Sequence, residues 1–132
     1  MSLSFRTKIQ SEHDVFFAIH RAIVETQNMN FGAVRIAKLK TAISELGSNI
    51  VKYAGAGFIS MYFLEGLRKG VKVIASDSGP GIEDVNAAMQ DHYSTSGTLG
   101  LGLPGVRRLM DEFEIWSQPG QGTEVTIILY TQ

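Results

Sequence analysis

Between Ala33 and Tyr53, the apolar residues Ile36, Leu39, Ile43, Leu46, Ile50 and Tyr53 recur at alternating spacings of three and four. That period lays one apolar face along about five turns of helix. A face of that length must be buried against something. Coiled-coil pairing fits the spacing, but under about three heptads is short for it. Strand patterns flank the helix on both sides, so a sheet is the expected partner. Ala54-Gly55-Ala56-Gly57 supplies the stop.

Upstream, Leu3, Phe5, Thr7 and Ile9 alternate with Ser4, Arg6 and Lys8, the period-2 pattern of a half-buried strand. Ser11 is placed to cap a following helix with Asp14 at its third position, and Val15, Phe16, Ile19, Ala22 and Ile23 form its stripe. Asn28–Gly32 breaks it. Downstream, Phe58–Leu64 and Val71–Ser76 read as strands around a turn at Gly66–Gly70. Asp77-Ser78-Gly79-Pro80-Gly81-Ile82 is a tight turn by composition, Glu83–Gln90 a short helix, and Asp91–Gly102 a polar, glycine-rich mobile loop. Pro104 suits the first turn of a helix whose apolar face is Val106, Leu109, Met110 and Phe113. Phe113–Gln118 and Thr123–Tyr130 read as closing strands around Pro119–Gly122. The order β-α-α-β-β-α-loop-α-β-β predicts a two-layer α/β sandwich: a mixed, mostly antiparallel sheet with helices on one face. Residues 1–132 make one domain, because 132 residues at 44% hydrophobic suffice for a single core.

Charge and residue content remove several function classes. Twelve basic residues against thirteen acidic ones leave a net charge of -1, which argues against a strong nucleic-acid binder. The absence of cysteine excludes disulfide scaffolds, thiolate zinc sites and a cysteine nucleophile. His13, His20 and His92 have no metal-ligand spacing. There is no G-x-S-x-G elbow and no G-x-x-x-x-G-K-[ST] phosphate loop. Gly100–Gly105 formally fits G-x-G-x-x-G, but polar loop rather than an apolar strand precedes it, so a dinucleotide fold has no support. Met1–Glu12 lacks a signal-peptide pattern and no run approaches the ~18–20 apolar residues of a membrane span. A soluble cytoplasmic protein with no membrane partner is expected.

Three constellations carry chemistry. Glu45, Asn49 and Lys52 fall at i, i+4 and i+7 of the long helix. Such a stripe fits a solvated helix face. It also fits a carboxylate base beside a neutral amide oxygen able to ligate Mg²⁺, which takes few protein oxygens and keeps waters and substrate phosphates. Asp77 lies where an apolar strand runs into Gly79-Pro80-Gly81. It fits a turn aspartate bonding its own backbone, or an acceptor for a purine exocyclic amine, with Gly79 and Gly81 letting the backbone approach a flat ring. In Tyr93–Gly102 the glycines let backbone N–H groups turn towards an anion, and the helix after Pro104 adds its positive end. Thr123, alone, is an ordinary strand-start residue.

Taken together these pieces resemble the GHKL superfamily of gyrase-type ATPases and histidine-kinase catalytic domains, over essentially the whole chain. Glu45-x-x-x-Asn49 resembles its N-box, Asp77-Ser78-Gly79-Pro80-Gly81-Ile82 its first glycine box, and Gly97–Gly105 its glycine-rich lid; Thr123 sits where that superfamily places a threonine near the adenine. Within it, Thr41-Ala42-Ile43-Ser44-Glu45-Leu46, Ser94-Thr95-Ser96-Gly97 and Gly102–Phe113 make the chain similar to the small bacterial anti-sigma-factor-type serine/threonine kinases, in particular the switch kinases of the stressosome. The resemblance implies a Bergerat-type ATP site, Mg²⁺, phosphorylation of STAS-domain partners of the RsbS/RsbR type, and activation of a phosphatase of the RsbU type. It implies Glu45 as catalytic base and Asn49 as Mg²⁺ ligand. For nucleotide it implies Lys52, Asp77, Gly79, Gly81, Ile82 and Thr123, with Ser96, Gly97, Thr98, Gly100, Leu101, Gly102 and Leu103 over the phosphates. The chain departs from sigma-binding relatives in one respect: no Lys or Arg stands between Asp91 and Val106. Phosphate charge then falls to Mg²⁺, backbone N–H groups and Lys52, which favours the switch kinase over one alternative, a sigma-sequestering anti-sigma factor; a second alternative, a nucleotide switch without turnover, needs the same pocket and stays open. A sensor histidine kinase fragment is disfavoured, because no N-terminal helical hairpin with a phosphoacceptor histidine is visible.

Overall fold

The computed structural model describes residues 1–90 and 102–132. Strand β1 (Ser2–Ile9) leads into α1 (Glu12–Thr26) and α2 (Ala33–Asn49), which continues as one π-helical turn over Ile50–Ala54. Then come β2 (Gly57–Leu64), β3 (Gly70–Asp77), the short α3 (Val85–Ala88), α4 (Gly102–Leu109), β4 (Glu112–Gln118) and β5 (Gly122–Tyr130). Every element expected from periodicity is present. Gly102, expected in the loop, is instead the first residue of α4.

The five strands form one sheet in the order β1-β2-β3-β5-β4, the strands with helices on one face making two layers. The expected mixed, mostly antiparallel sheet is in fact antiparallel at every pairing. The connections explain this. β2–β3 and β4–β5 are hairpins, and the two helices between β1 and β2 return the chain to the end of β1, so Ile9 pairs with Gly57.

Side chains alternate across a strand, and from Phe5 onward the odd-numbered strand positions face the helices; the bulge between Leu3 and Phe5 in β1 turns Leu3, expected on the same face as Phe5, to the other side, where it is 55% exposed. Phe5 and Ile9 of β1, Ile59 and Met61 of β2, Val71, Val73 and Ala75 of β3, and Val125, Ile127 and Leu129 of β5 are all buried. They meet Leu39, Ala42, Ile43, Leu46 and Ile50 from α2 and its π-turn. Arg35 fixes the start of α2 on the sheet: its guanidinium donates to the Tyr130 carbonyl and to Asp111 Oδ2, both at 3.0 Å, and Asp111 Oδ2 also accepts from Tyr130 N–H at 2.8 Å.

Two helical expectations change. Ser11 caps α1 as expected, accepting from Asp14 N–H, but the buried stripe is Val15, Ala18, Ala22 and Thr26, and Phe16 is 69% exposed. α1 lies against α2, and a Cβ on Gly47 would come within 2.7 Å of Val15. Helices this close select small residues at the contact, so Ala18 and Ala22 face inward and the larger Phe16 does not. The second change is in α2. Gly55 N–H bonds the Ile50 carbonyl, an i→i+5 closure, at 2.9 Å, and Gly55 ends the turn at φ +84°. The wider turn shifts the register after Asn49. Tyr53 consequently leaves the buried stripe and is half-exposed.

Candidate functional site

A cavity of about 490 Å³ lies between α2 and the ends of β3 and β5, within the 300–1,000 Å³ usual for small-ligand sites. Its helical wall is Glu45, Leu46, Asn49, Ile50 and Tyr53, one face of α2 and the π-turn. Its sheet wall is Ala75, Asp77, Thr123 and Val125, and its remaining described wall includes Gly81, Ile82, Ala88, Gly102 and Leu103.

The sheet register explains how distant residues meet. Asp77 is paired with Thr123 across β3 and β5, and Thr123 with Ser117 across β5 and β4. All three are odd-numbered, so they face the helical layer. They form a polar row at the sheet end, beyond the apolar rows that build the core.

Asp77 makes the turn bond of the first reading and stands at the cavity that the second reading requires. Its Oδ1 accepts from Gly79 N–H at 2.9 Å, the turn bond, and its side chain lines the cavity. The glycines beside it serve a need besides the one expected. A Cβ on Gly79 would stand 2.6 Å from the Ala54 Cβ, and one on Gly81, at φ +77°, would stand 2.2 Å from the Gln118 carbonyl oxygen. At both positions the chain's own atoms leave no room for a Cβ, whatever occupies the cavity. This close approach locks the turn after β3 against the π-turn and the β4–β5 hairpin, with Gly120 N–H donating to the Pro80 carbonyl at 2.8 Å.

Glu45 is 4% exposed, so a solvated helix face does not describe it. Burial pushes its carboxyl above the usual carboxylate range, opposed by the Lys52 ammonium and by the Gly102 N–H as a donor. α4 packs on α2 and brings Gly102 there. Asn49, one turn on, is half-buried on the same wall. Lys52 is exposed and is not one of the residues lining the cavity. The π-turn displaces it from the stripe expected with Glu45 and Asn49 and puts Tyr53 on the wall instead, although its charge still acts on Glu45.

Of the residues expected around nucleotide, Gly81, Ile82, Gly102, Leu103 and Thr123 line the cavity; Gly79 supports it from behind. Ser96, Gly97, Thr98, Gly100 and Leu101, and with them residues 91–101 of the loop expected over Asp91–Gly102, lie outside the described residues. Sequence reasoning missed Tyr53 as a wall residue and Ser117 altogether. The odd-number parity of β4 was the signal available for Ser117.

The donor set can be tested against Mg²⁺. Among the described residues no group of three or more His, Asp or Glu side chains could hold a metal ion. Asn49 and Glu45 offer one amide oxygen and one buried carboxylate, and the other lining carboxylates, Asp77, Glu83 and Asp84, stand on other segments, so the cavity does not make an all-protein cage. It does fit an ion that arrives with its own waters and phosphates, which is how Mg²⁺ is usually held.

The histidine kinase-like ATPase domain family matches residues 16–129, and the chain belongs to that family. It is 47% identical over 122 residues to the serine/threonine-protein kinase RsbT of Bacillus subtilis (strain 168), covering 92% of each chain. It is 31% identical over 135 residues to the anti-sigma F factor of Thermoanaerobacter sp. (strain X514), covering 98% of this chain and 92% of that one. Among solved structures it is similar to full-length ShkA in complex with AMPPNP, with a TM-score of 0.58 and 20% identity over 90% of this chain. The chain spans 30% of that longer protein, so this likeness is one of fold. No helix among the described residues is long and apolar enough to cross a membrane.

Proposed function

We propose that this chain is an ATP-dependent serine/threonine protein kinase of the RsbT type. Its substrates are STAS-domain proteins of the RsbS/RsbR type, and as a partner switch it activates an RsbU-type phosphatase in the cytoplasm. The observation that carries the reading is the placement of Glu45. A carboxylate buried on α2 with a raised pKa stands one turn from Asn49, on the wall of the cavity that holds Asp77 and Thr123. The 47% identity to RsbT supports the same reading.

Phosphoryl transfer asks for positioning and charge neutralisation more than for covalent chemistry by the protein. Asp77 accepts from the adenine amine, with Thr123 beside it. The carboxamide oxygen of Asn49 is the protein ligand for Mg²⁺, which supplies charge neutralisation at the phosphates when bound. Glu45 orients the acceptor hydroxyl and takes its proton. Its raised pKa suits that task, since a base works best when its pKa approaches the working pH. Ser96, Gly97, Thr98, Gly100, Leu101, Gly102 and Leu103 complete the phosphate end, and Lys52, off the cavity wall but close enough to act on Glu45, adds positive charge there. Incubation with labelled ATP and a STAS-domain partner tests the proposal: label on a partner serine or threonine is expected with the parent chain and not with Glu45→Ala. No transfer by parent protein that binds ATP would leave only a nucleotide-dependent binding switch.

A second reading, an anti-sigma factor, draws on the 31% identity to anti-sigma F factor. Copurification with a sigma subunit tests it. The lack of any Lys or Arg between Asp91 and Val106 weighs against it.

A further inference from the structure

We propose that Ser117 sets the nucleobase preference of the cavity by fixing which way the Thr123 hydroxyl proton points. This rests on the adenine-nucleotide reading above and adds a specificity-determining residue to it.

Ser117 Oγ has three polar neighbours. It accepts from Ile82 N–H at 2.7 Å, it lies 3.0 Å from the Gly122 carbonyl oxygen, and it lies 2.8 Å from Thr123 Oγ1. A serine hydroxyl has one proton and two acceptor sites. The Gly122 carbonyl can only accept, so the Ser117 proton goes there; otherwise two oxygens would face each other at 3.0 Å with no proton between them. Ile82 N–H uses one acceptor site of Ser117. The other faces Thr123, which must therefore be the donor. This assignment satisfies all three contacts at once, and no other does.

The consequence falls on the cavity. With its proton committed to Ser117, the Thr123 hydroxyl has only lone pairs left for a ligand. Asp77, directly across the ladder, is a carboxylate and also only accepts. That end of the cavity is thus an acceptor-only surface. It favours a ring edge carrying N–H donors, such as an exocyclic amine, and disfavours a keto oxygen, which would set oxygen against oxygen. A rotatable threonine hydroxyl would lose this discrimination by turning its proton to meet either group. Ser117 does not line the cavity, so it is a positioning residue.

The test compares ATP with inosine triphosphate, in which a keto oxygen replaces the amine and N1 carries a proton, by calorimetric titration of the full chain with Mg²⁺; the N1 difference is common to parent and variants, so the change in ratio on substitution reads the amine-against-keto contact. The parent should prefer ATP. Ser117→Ala should narrow the ATP-to-inosine-triphosphate affinity ratio by about tenfold, the scale of one hydrogen bond, and Ser117→Thr should restore it. A merely structural role would weaken both nucleotides alike and leave the ratio unmoved. Thr123→Val is the second variant, for the case that Ser117→Ala does not fold. It removes the oriented hydroxyl while leaving the Ser117 bonds to Ile82 and Gly122, and it should narrow the ratio equally. A ratio kept in Thr123→Val or in folded Ser117→Ala overturns this inference alone; a parent ratio near one overturns it together with the Asp77 amine contact. A folded parent that takes up neither nucleotide overturns the proposed function and this inference with it.

Discussion

Replacing Gly81 by alanine separates two reasons for a glycine in the turn after β3. Gly81 has φ +77°, a conformation that costs a residue with a Cβ about 1–2 kcal/mol. It also has no room, because the new Cβ would sit 2.2 Å from the Gln118 carbonyl oxygen, and the next contacts are backbone as well. Ordinary contact begins at 3.4 Å, so the turn or the hairpin must shift by about 1.2 Å. Two bonds tie those segments together, Gly120 N–H to Pro80 O at 2.8 Å and Ile82 N–H to Ser117 Oγ at 2.7 Å. Either shift stretches both past useful length, at about 0.5–1.5 kcal/mol each. The total loss is then about 2–5 kcal/mol, which is a fall in Tm on the order of 10 °C for a domain of this size. Gly120→Ala is the control. Gly120 has φ +78° and nothing within 4 Å of where a Cβ would stand, so only the conformational cost of about 1–2 kcal/mol applies. Urea denaturation should separate the two variants by about 1–3 kcal/mol, and only Gly81→Ala should weaken ATP binding. Equal losses would refute the argument that contact with Gln118 is what demands glycine at position 81.

Three further predictions concern the cavity. Because burial raises the Glu45 carboxyl, the folded state binds more protons than the unfolded state as pH rises from the unfolded carboxylate value to the folded one, so stability falls through that window. Glu45→Gln should flatten this slope in denaturation midpoints taken across pH and cut phosphotransfer by ~100-fold or more; an unchanged slope would remove the burial argument. Asn49→Ala should weaken nucleotide binding in Mg²⁺ and have little effect in EDTA, read by titration under both conditions. Asp77→Asn keeps an oxygen for Gly79 N–H and so should remain folded by circular dichroism, yet lose about 10- to 100-fold in ATP affinity as a charge-assisted acceptor is neutralised.

The fold is legible in the sequence because its elements carry clean periods. The alternation in β3 and β5 and the three-four spacing in α2 point to the same two-layer solution. The features that sequence does not show have local causes. The α1 stripe differs from its expected residues because large side chains dominate a hydrophobic pattern, while a close helix contact is made by Ala18, Ala22 and Gly47. The π-turn leaves no periodic signature, so the exchange of Lys52 for Tyr53 on the cavity wall cannot be read from spacing. Glu45 is visible as a candidate, but its burial depends on α4 folding over α2, a tertiary fact. Ser117 looks like any small strand residue until the β4–β5 register sets it opposite Thr123.

β5 comes last among the strands in chain order, yet it sits inside the sheet, between β3 and β4. The polar row at the sheet end takes one member from each of those three strands. No half-assembled intermediate lacking that final strand can therefore offer the recognition edge, whatever its helices have done. Ligand uptake is consequently coupled to completion of the entire sheet, and saturating nucleotide should protect the amide hydrogens of β1, remote from the cavity, as well as those around it.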